Sequence, residues 1–255
     1  MATLNPCIFC GRADVQMTKE DVVPVWLLKV LRSVYRQDSL DLTFRGRRLR
    51  RMCAVRHMIA LREVCAACNG GWMHDLEGAF RAIAEPAIRK APRPDSLHVF
   101  DRAAQLVLAT WALKTWLLLQ RSWHHVTQYS MWSPDALHYL YEHRAPPPGV
   151  RMYLSAVKFD ASVAFGMKTT RLTHTPTDKR GVISFMHFRP LAFWFVAPDL
   201  GMTPWDAGLL PSLQHLQTAF AQIWPYESPE IHWPPARILL EAGINSVLPD
   251  ELFFE

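Results

Sequence analysis

Two cysteine pairs of identical spacing constrain this chain more than any other feature: Cys7-Ile8-Phe9-Cys10 and Cys65-Ala66-Ala67-Cys68. A C-x-x-C loop turns two thiolates toward one point, and two such loops supply the four ligands of a tetrahedral zinc. The competing use of such pairs is redox chemistry. A shell of four thiolates leaves no coordination position open, so a zinc held by Cys7, Cys10, Cys65 and Cys68 braces the fold and does no chemistry itself. Four of the five cysteines stand in these pairs, a usage that suits a reducing compartment better than a disulfide framework.

The charge distribution divides the chain in the same place. Residues 1–84 carry 13 Lys/Arg against 8 Asp/Glu, and the remainder carries 15 against 15, so the whole net charge of +5 sits with the cysteines. Part of it is concentrated in Arg45, Arg47, Arg48, Arg50 and Arg51, five arginines in seven positions. Clustered arginine is the footprint of a phosphate-binding surface, and equally of a solvated basic loop. Ala91-Pro92-Arg93-Pro94-Asp95 reads as a linker. The expected organisation is therefore a zinc module with a basic insert over residues 1–88 and a larger α+β domain over 96–255. The most apolar run, Leu106 to Leu119, is interrupted by Lys114 and falls short of the ~20 residues a membrane span needs. No basic-then-apolar leader precedes Cys7. The expectation is a cytoplasmic protein with no membrane partner.

Local patterns predict the elements. Val22-Val23 before Pro24 continues an extended segment from Glu20 to Val23, and apolar residues at Val25, Leu28, Leu31 and Val34 make a helix to about Tyr35. Residues 37–51 read as an exposed insert. A helix is expected from Asn69 or Gly70 through Trp72, Leu76, Phe80 and Ile83, ending before Pro86. Beyond the linker, helices are expected at about Asp101–Arg121, Pro134–His143 and Leu209–Ile223. Strands are expected over Val150–Phe165 and Gly181–Ala197, with a turn-rich Thr169–Arg180 between them. The tryptophans of this half, among them Trp111, Trp116, Trp194 and Trp233, stand at core-like spacing and read as packing.

The order C-x-x-C, then Glu20-Asp21-Val22-Val23-Pro24, then Cys65-Ala66-Ala67-Cys68-Asn69 with Gly71-Trp72, resembles the HNH (ββα-metal) endonucleases, closest to the endonuclease VII-like branch with its four-cysteine zinc. The likeness spans roughly residues 5–84, about a third of the chain. It implies an N-terminal zinc-stapled ββα-metal, treble-clef-like module, and a metal-dependent endonuclease that hydrolyses nucleic-acid phosphodiester bonds, with DNA as the expected partner. It also places Glu20 and Asn69 as ligands of a catalytic Mg2+ or Mn2+, hard oxygen donors suited to such an ion. The alternative for Asn69 is a helix N-cap after Cys68.

The departure is Asp21, which stands where the family has the His that deprotonates water. A carboxylate of ordinary pKa about 3.9 is a far weaker base near neutrality than an imidazole. Asp21 then acts as a poorer base, or joins Glu20 and Asn69 as a metal ligand, or marks a module that binds nucleic acid or protein without cleavage. Substitute bases are His57 and His74, each read first as an ordinary surface or packing histidine. Glu77, eight residues past Asn69, lies on its helix face and is a further candidate ligand or an exposed carboxylate. His124-His125 reads as a polar helix terminus.

Overall fold

The computed structural model describes residues 5–35, 39–44, 47–53, 60–90, 97–122, 134–158, 165–174, 179–198, 217–240 and 252–254. The fold is mixed α+β, with the four cysteines clustered near the N-terminus. The linker at 91–95, along with Arg45, His57, His124 and His125, lies outside the described residues.

The cysteine knuckle leads into β1 (Met17–Asp21), which ends one residue before the buried Val22 and Val23 rather than running through them. Pro24 stands immediately before α1 (Val25–Tyr35), its carbonyl accepting the N–H groups of Leu27 and Leu28. The basic segment forms a two-stranded ribbon. β2 (Ser39–Phe44) and β3 (Arg47–Cys53) pair antiparallel, Asp41 opposite Arg51 and Leu42 opposite Arg50. β4 (Ala60–Cys65) returns antiparallel to β1, Thr18 opposite Val64 and Glu20 opposite Leu61.

The second cysteine pair turns from strand to helix directly after Cys65. α2 (Ala66–Cys68), a π-helical turn (Asn69–Met73) and α3 (His74–Lys90) follow one another, with non-helical angles at Gly71 (φ −101°, ψ −115°). The N-cap of α2 is Cys65, whose sulfur accepts the Cys68 N–H; Asn69 stands at the C-terminal end of α2 and is not an N-cap. α3 also runs through Pro86 instead of stopping before it. The turn around that proline is held by burial: Ala84, Ala87 and Ile88 are all fully packed, and apolar burial of this extent offsets one lost helical hydrogen bond.

β5 (His98–Asp101) leads directly into α4 (Arg102–Ser122), one residue from its expected bounds. Every residue of α4 from Leu108 to Gln120 is buried, as expected of a helix that is apolar on all sides. α5 (Pro134–His143) follows as expected. The larger sheet contains β6 (Arg151–Lys158), β7 (Phe165–His174), β8 (Lys179–Phe188) and β9 (Leu191–Pro198). β10 (Phe220–Trp224) lies at one edge in the order β10-β6-β9-β8-β7-β13, with β13 (Leu252–Phe254) parallel to β7 at the other. β11 (Glu230–Trp233) pairs with β5, and β12 (Leu239–Leu240) runs parallel to β6.

Two expectations fail here for one reason. Thr169–His174 is strand, not turn, because it pairs along its length with β8. The end of the expected Leu209–Ile223 helix is a 3-10 turn (Gln217–Ala219) followed by strand β10, recruited by the edge of β6; residues 209–216 lie outside the described residues. Both segments were decided by partner strands: the next strand in the chain, β8, for Thr169–His174, and the distant β6 for Phe220–Trp224.

α3 and α4 pack on this sheet through aromatic rings. Phe80 stacks on Trp111 at 3.5 Å, Trp111 meets Phe188 edge-on at 5.4 Å, and Trp116 stacks on Phe195 at 5.1 Å. Trp111, Trp116, Trp194 and Trp233 are all buried, as their spacing implied. One cluster of buried residues runs from Cys7 and Phe9 through α3 and α4 to Trp233, so the cysteine module shares its core with the sheet.

Candidate functional site

The four sulfurs of Cys7, Cys10, Cys65 and Cys68 lie within 4.8 Å of one another. The loop that presents the first pair is closed by Gly11, at φ +72° and donating its N–H to the Cys7 carbonyl at 2.9 Å. A positive φ there is a conformation that glycine adopts at no steric cost. The knuckle is pinned to β4 by the Ile8 N–H on the Glu63 carbonyl (3.0 Å), and the Cys65 N–H points at Cys7 Sγ (3.4 Å). Cys10 Sγ and Cys65 Sγ are 3.7 Å apart; four sulfurs at about 2.3 Å from a tetrahedral zinc would stand about 3.8 Å apart. Burial alone would raise the Cys7 thiol, but the N–H groups of Cys10, Cys65 and Phe9 outweigh it and bring its pKa down to about 7. The donor set and its spacing fit a structural metal ion such as zinc.

Beside this cluster the structure places the other expected residues on β1 and the following helix. Asn69 Nδ2 donates to Thr18 Oγ1 at 3.0 Å, and Thr18 Oγ1 donates in turn to the Val64 carbonyl at 3.1 Å. The amide is thereby fastened to β1 two residues before Glu20. Asp21 is half-exposed, with Lys19 Nζ 4.0 Å from its Oδ1, and that oxygen is buried with no hydrogen-bond partner among the described residues. Glu77 is half-buried and His74 exposed. Among the described residues, the four cysteines are the only group of three or more His, Cys, Asp or Glu side chains that could hold an ion.

Glu20 has a neighbour that sequence reasoning did not assign to the site. Lys114 Nζ stands 3.3 Å from Glu20 Oε1, with the lysine side chain fully buried and the glutamate side chain 7% exposed. Burial pushes the Glu20 carboxyl above its ordinary range; the Lys114 charge opposes that, and the charges of Glu77 and Asp21 add to it. The signal was present in the sequence as one charge within an apolar helix, a residue that must find a counter-ion once buried. An Mg2+ or Mn2+ ion on Glu20 would share that carboxylate with an ammonium and would have to find water and phosphate ligands in a closed interior. These residues do not fit a catalytic divalent ion as they stand.

The arginines divide. Arg47, Arg48, Arg50 and Arg51 lie on β3, in register with Phe44, Thr43, Leu42 and Asp41 respectively. Comparison with family models, with curated proteins and with solved structures finds no match for this chain.

Proposed function

We propose that this chain is a nucleic-acid-binding protein built on a zinc-stapled module of the HNH type, and that it holds the phosphodiester backbone without hydrolysing it. The observation that carries the reading is the state of Glu20: the carboxylate assigned to the catalytic ion is buried and ion-paired with Lys114. At about 4 Å and an effective dielectric near 20, an ammonium repels each unit of positive charge by roughly 4 kcal/mol, which disfavours a second cation on the same carboxylate. Asp21 stands where the HNH family has its base histidine, and a carboxylate is a weaker general base than an imidazole. The zinc holds the knuckle, β4 and α2 together. The two-stranded β2–β3 ribbon, with four arginines on one strand, supplies the surface for phosphate; such a ribbon has the dimensions that enter a DNA major groove.

A second reading, a metal-dependent endonuclease, is favoured by one observation: the Asn69–Thr18 hydrogen bond brings the second expected ligand to the strand that carries Glu20. Duplex and single-stranded DNA should be titrated against salt, and cleavage of plasmid assayed with Mg2+ and Mn2+ in wild type, Glu20→Ala and Asp21→His. The binding reading expects affinity that falls steeply with salt, by a log–log slope of about 0.9 per phosphate contact on duplex DNA, and no cleavage by wild type. Cleavage by wild type that disappears in Glu20→Ala would establish the nuclease instead. Salt-insensitive binding would remove the nucleic acid from the reading.

A further inference from the structure

We propose that both halves of the chain build the phosphate surface: the β7–β8 hairpin of the larger sheet joins the β2–β3 ribbon in one composite track for duplex DNA. This rests on the nucleic-acid reading and extends it to residues outside the HNH likeness, which ends near residue 84.

From residue 85 onward the chain carries equal numbers of Lys/Arg and Asp/Glu, yet β7 and β8 break that balance. They hold Lys168, Arg171, Lys179 and Arg180, and neither strand contains an Asp or Glu. Strand register gathers three of these cations at one end of the hairpin. Thr173 pairs with Arg180 and His174 with Lys179, while Arg171 pairs with Val182 on the same ladder. The α4 side of the sheet is anchored nearer its middle, where Gln120 bonds Thr169 and Thr169 pairs with Ser184. Positions 171 to 174 lie about 7–17 Å further along the hairpin, at about 3.4 Å per residue. α4 ends at Ser122, about 3 Å of helix rise past Gln120, so it stops short of them.

β2 packs beside β7, and its partner β3 carries Arg47, Arg48, Arg50 and Arg51. The four strands therefore bring together the arginines of β3 and the cations of β7 and β8 with a single carboxylate, Asp41. Like charges collected from distant parts of a chain repel one another and oppose the compact state. A polyanion offsets that repulsion, and a duplex presents one phosphate charge per ~1.7 Å of its axis. A ribbon of two strands fits the major groove, which leaves the adjoining hairpin for the flanking backbone.

The experiment titrates the full-length, zinc-loaded protein with a short duplex of mixed sequence over a range of salt. Wild type is compared with Arg171→Gln/Lys179→Gln/Arg180→Gln, with Arg171→Lys/Arg180→Lys, and with Arg47→Gln/Arg48→Gln/Arg50→Gln/Arg51→Gln; zinc content and thermal unfolding are recorded for each. The hairpin glutamine variant should lose at least about tenfold in affinity, with a log–log salt slope shallower by about 2–3, at about 0.9 per phosphate contact. The lysine variant, which keeps the charge, should retain the slope of wild type. A folded hairpin variant with the slope of wild type, beside a β3 variant that binds more weakly, overturns the proposal and leaves the nucleic-acid reading standing. Wild type that ignores duplex DNA removes both. Should the hairpin variant fail to fold, acetylation of wild type read by mass spectrometry decides: duplex should protect Lys179 and spare the exposed Lys158 of β6. Equal modification of Lys179 with and without duplex overturns the proposal.

Discussion

Arg121 grips Glu63 through two hydrogen bonds, 2.7 Å from Nε and 3.1 Å from Nη2. Seven residues earlier on the same helix, Lys114 holds Glu20. Seven residues is about two helical turns, so one face of α4 carries both cations. Their acceptors lie on the antiparallel pair β4 and β1. A single helix from the larger half thus ties down both strands of the cysteine module.

The two ties should differ in strength. The Arg121–Glu63 pair is about a quarter to a third exposed, and Lys114–Glu20 is buried. Glu63→Ala is expected to cost about 1 kcal/mol, and Glu20→Gln about 3–5 kcal/mol, because it strands a buried ammonium. Adding Lys114→Met to Glu20→Gln should recover most of that loss. Urea denaturation of the double-mutant cycle measures it; equal costs for Glu63→Ala and Glu20→Gln would contradict the assignment.

Removing the metal should unfold the module first. One tightly held zinc per chain is expected by elemental analysis, and chelation at neutral pH should expose the knuckle and α2 to protease while β6 to β9 persist. The asymmetry follows from where each part finds its stability: the knuckle from the four thiolates, the sheet from its own ladder and aromatic core. Simultaneous loss of both parts would show that the shared core has no independent stability.

His187 makes acid a specific threat. Burial, reinforced by the charge of Arg189, lowers its pKa from 6.5 to about 3. Between those values the unfolded chain binds a proton that the folded chain refuses, so stability is full above about pH 6.5 and drains as pH falls toward 3. At pH 4.5 the loss from this one group is about 2–3 kcal/mol. His187→Gln should flatten the stability profile between pH 7 and 4.5; an unchanged slope would assign the acid sensitivity elsewhere.

Ser184 anchors the helix–sheet interface. It accepts from Trp116 Nε1 at 2.8 Å and lies 2.7 Å from Thr169 Oγ1, which accepts from Gln120 Nε2 at 3.2 Å. Ser184→Ala leaves the buried indole N–H without this acceptor and should cost about 1–3 kcal/mol. Adding Trp116→Phe should then cost less than it does in wild type, which thermal unfolding of the four proteins would show.

What the sequence determined by itself was local. The cysteine pairs read correctly because C-x-x-C geometry depends on four consecutive residues. The bounds of α1 at Val25 and Tyr35, and those of α4 and α5, followed from periodicity and from prolines at helix starts. The tertiary structure decided what depends on partners outside the segment itself. β7 continues through Thr169–His174, and Phe220–Trp224 is strand, because each found a neighbouring strand to complete its backbone hydrogen bonds. α3 passes Pro86 because buried apolar side chains hold its last turns. Asn69 is fastened to Thr18, and the N-cap of α2 fell to Cys65. Lys114 is the clearest case. In the chain it is one charge interrupting an apolar helix; only packing carries it to Glu20, where the cost of burying either charge alone binds the two together.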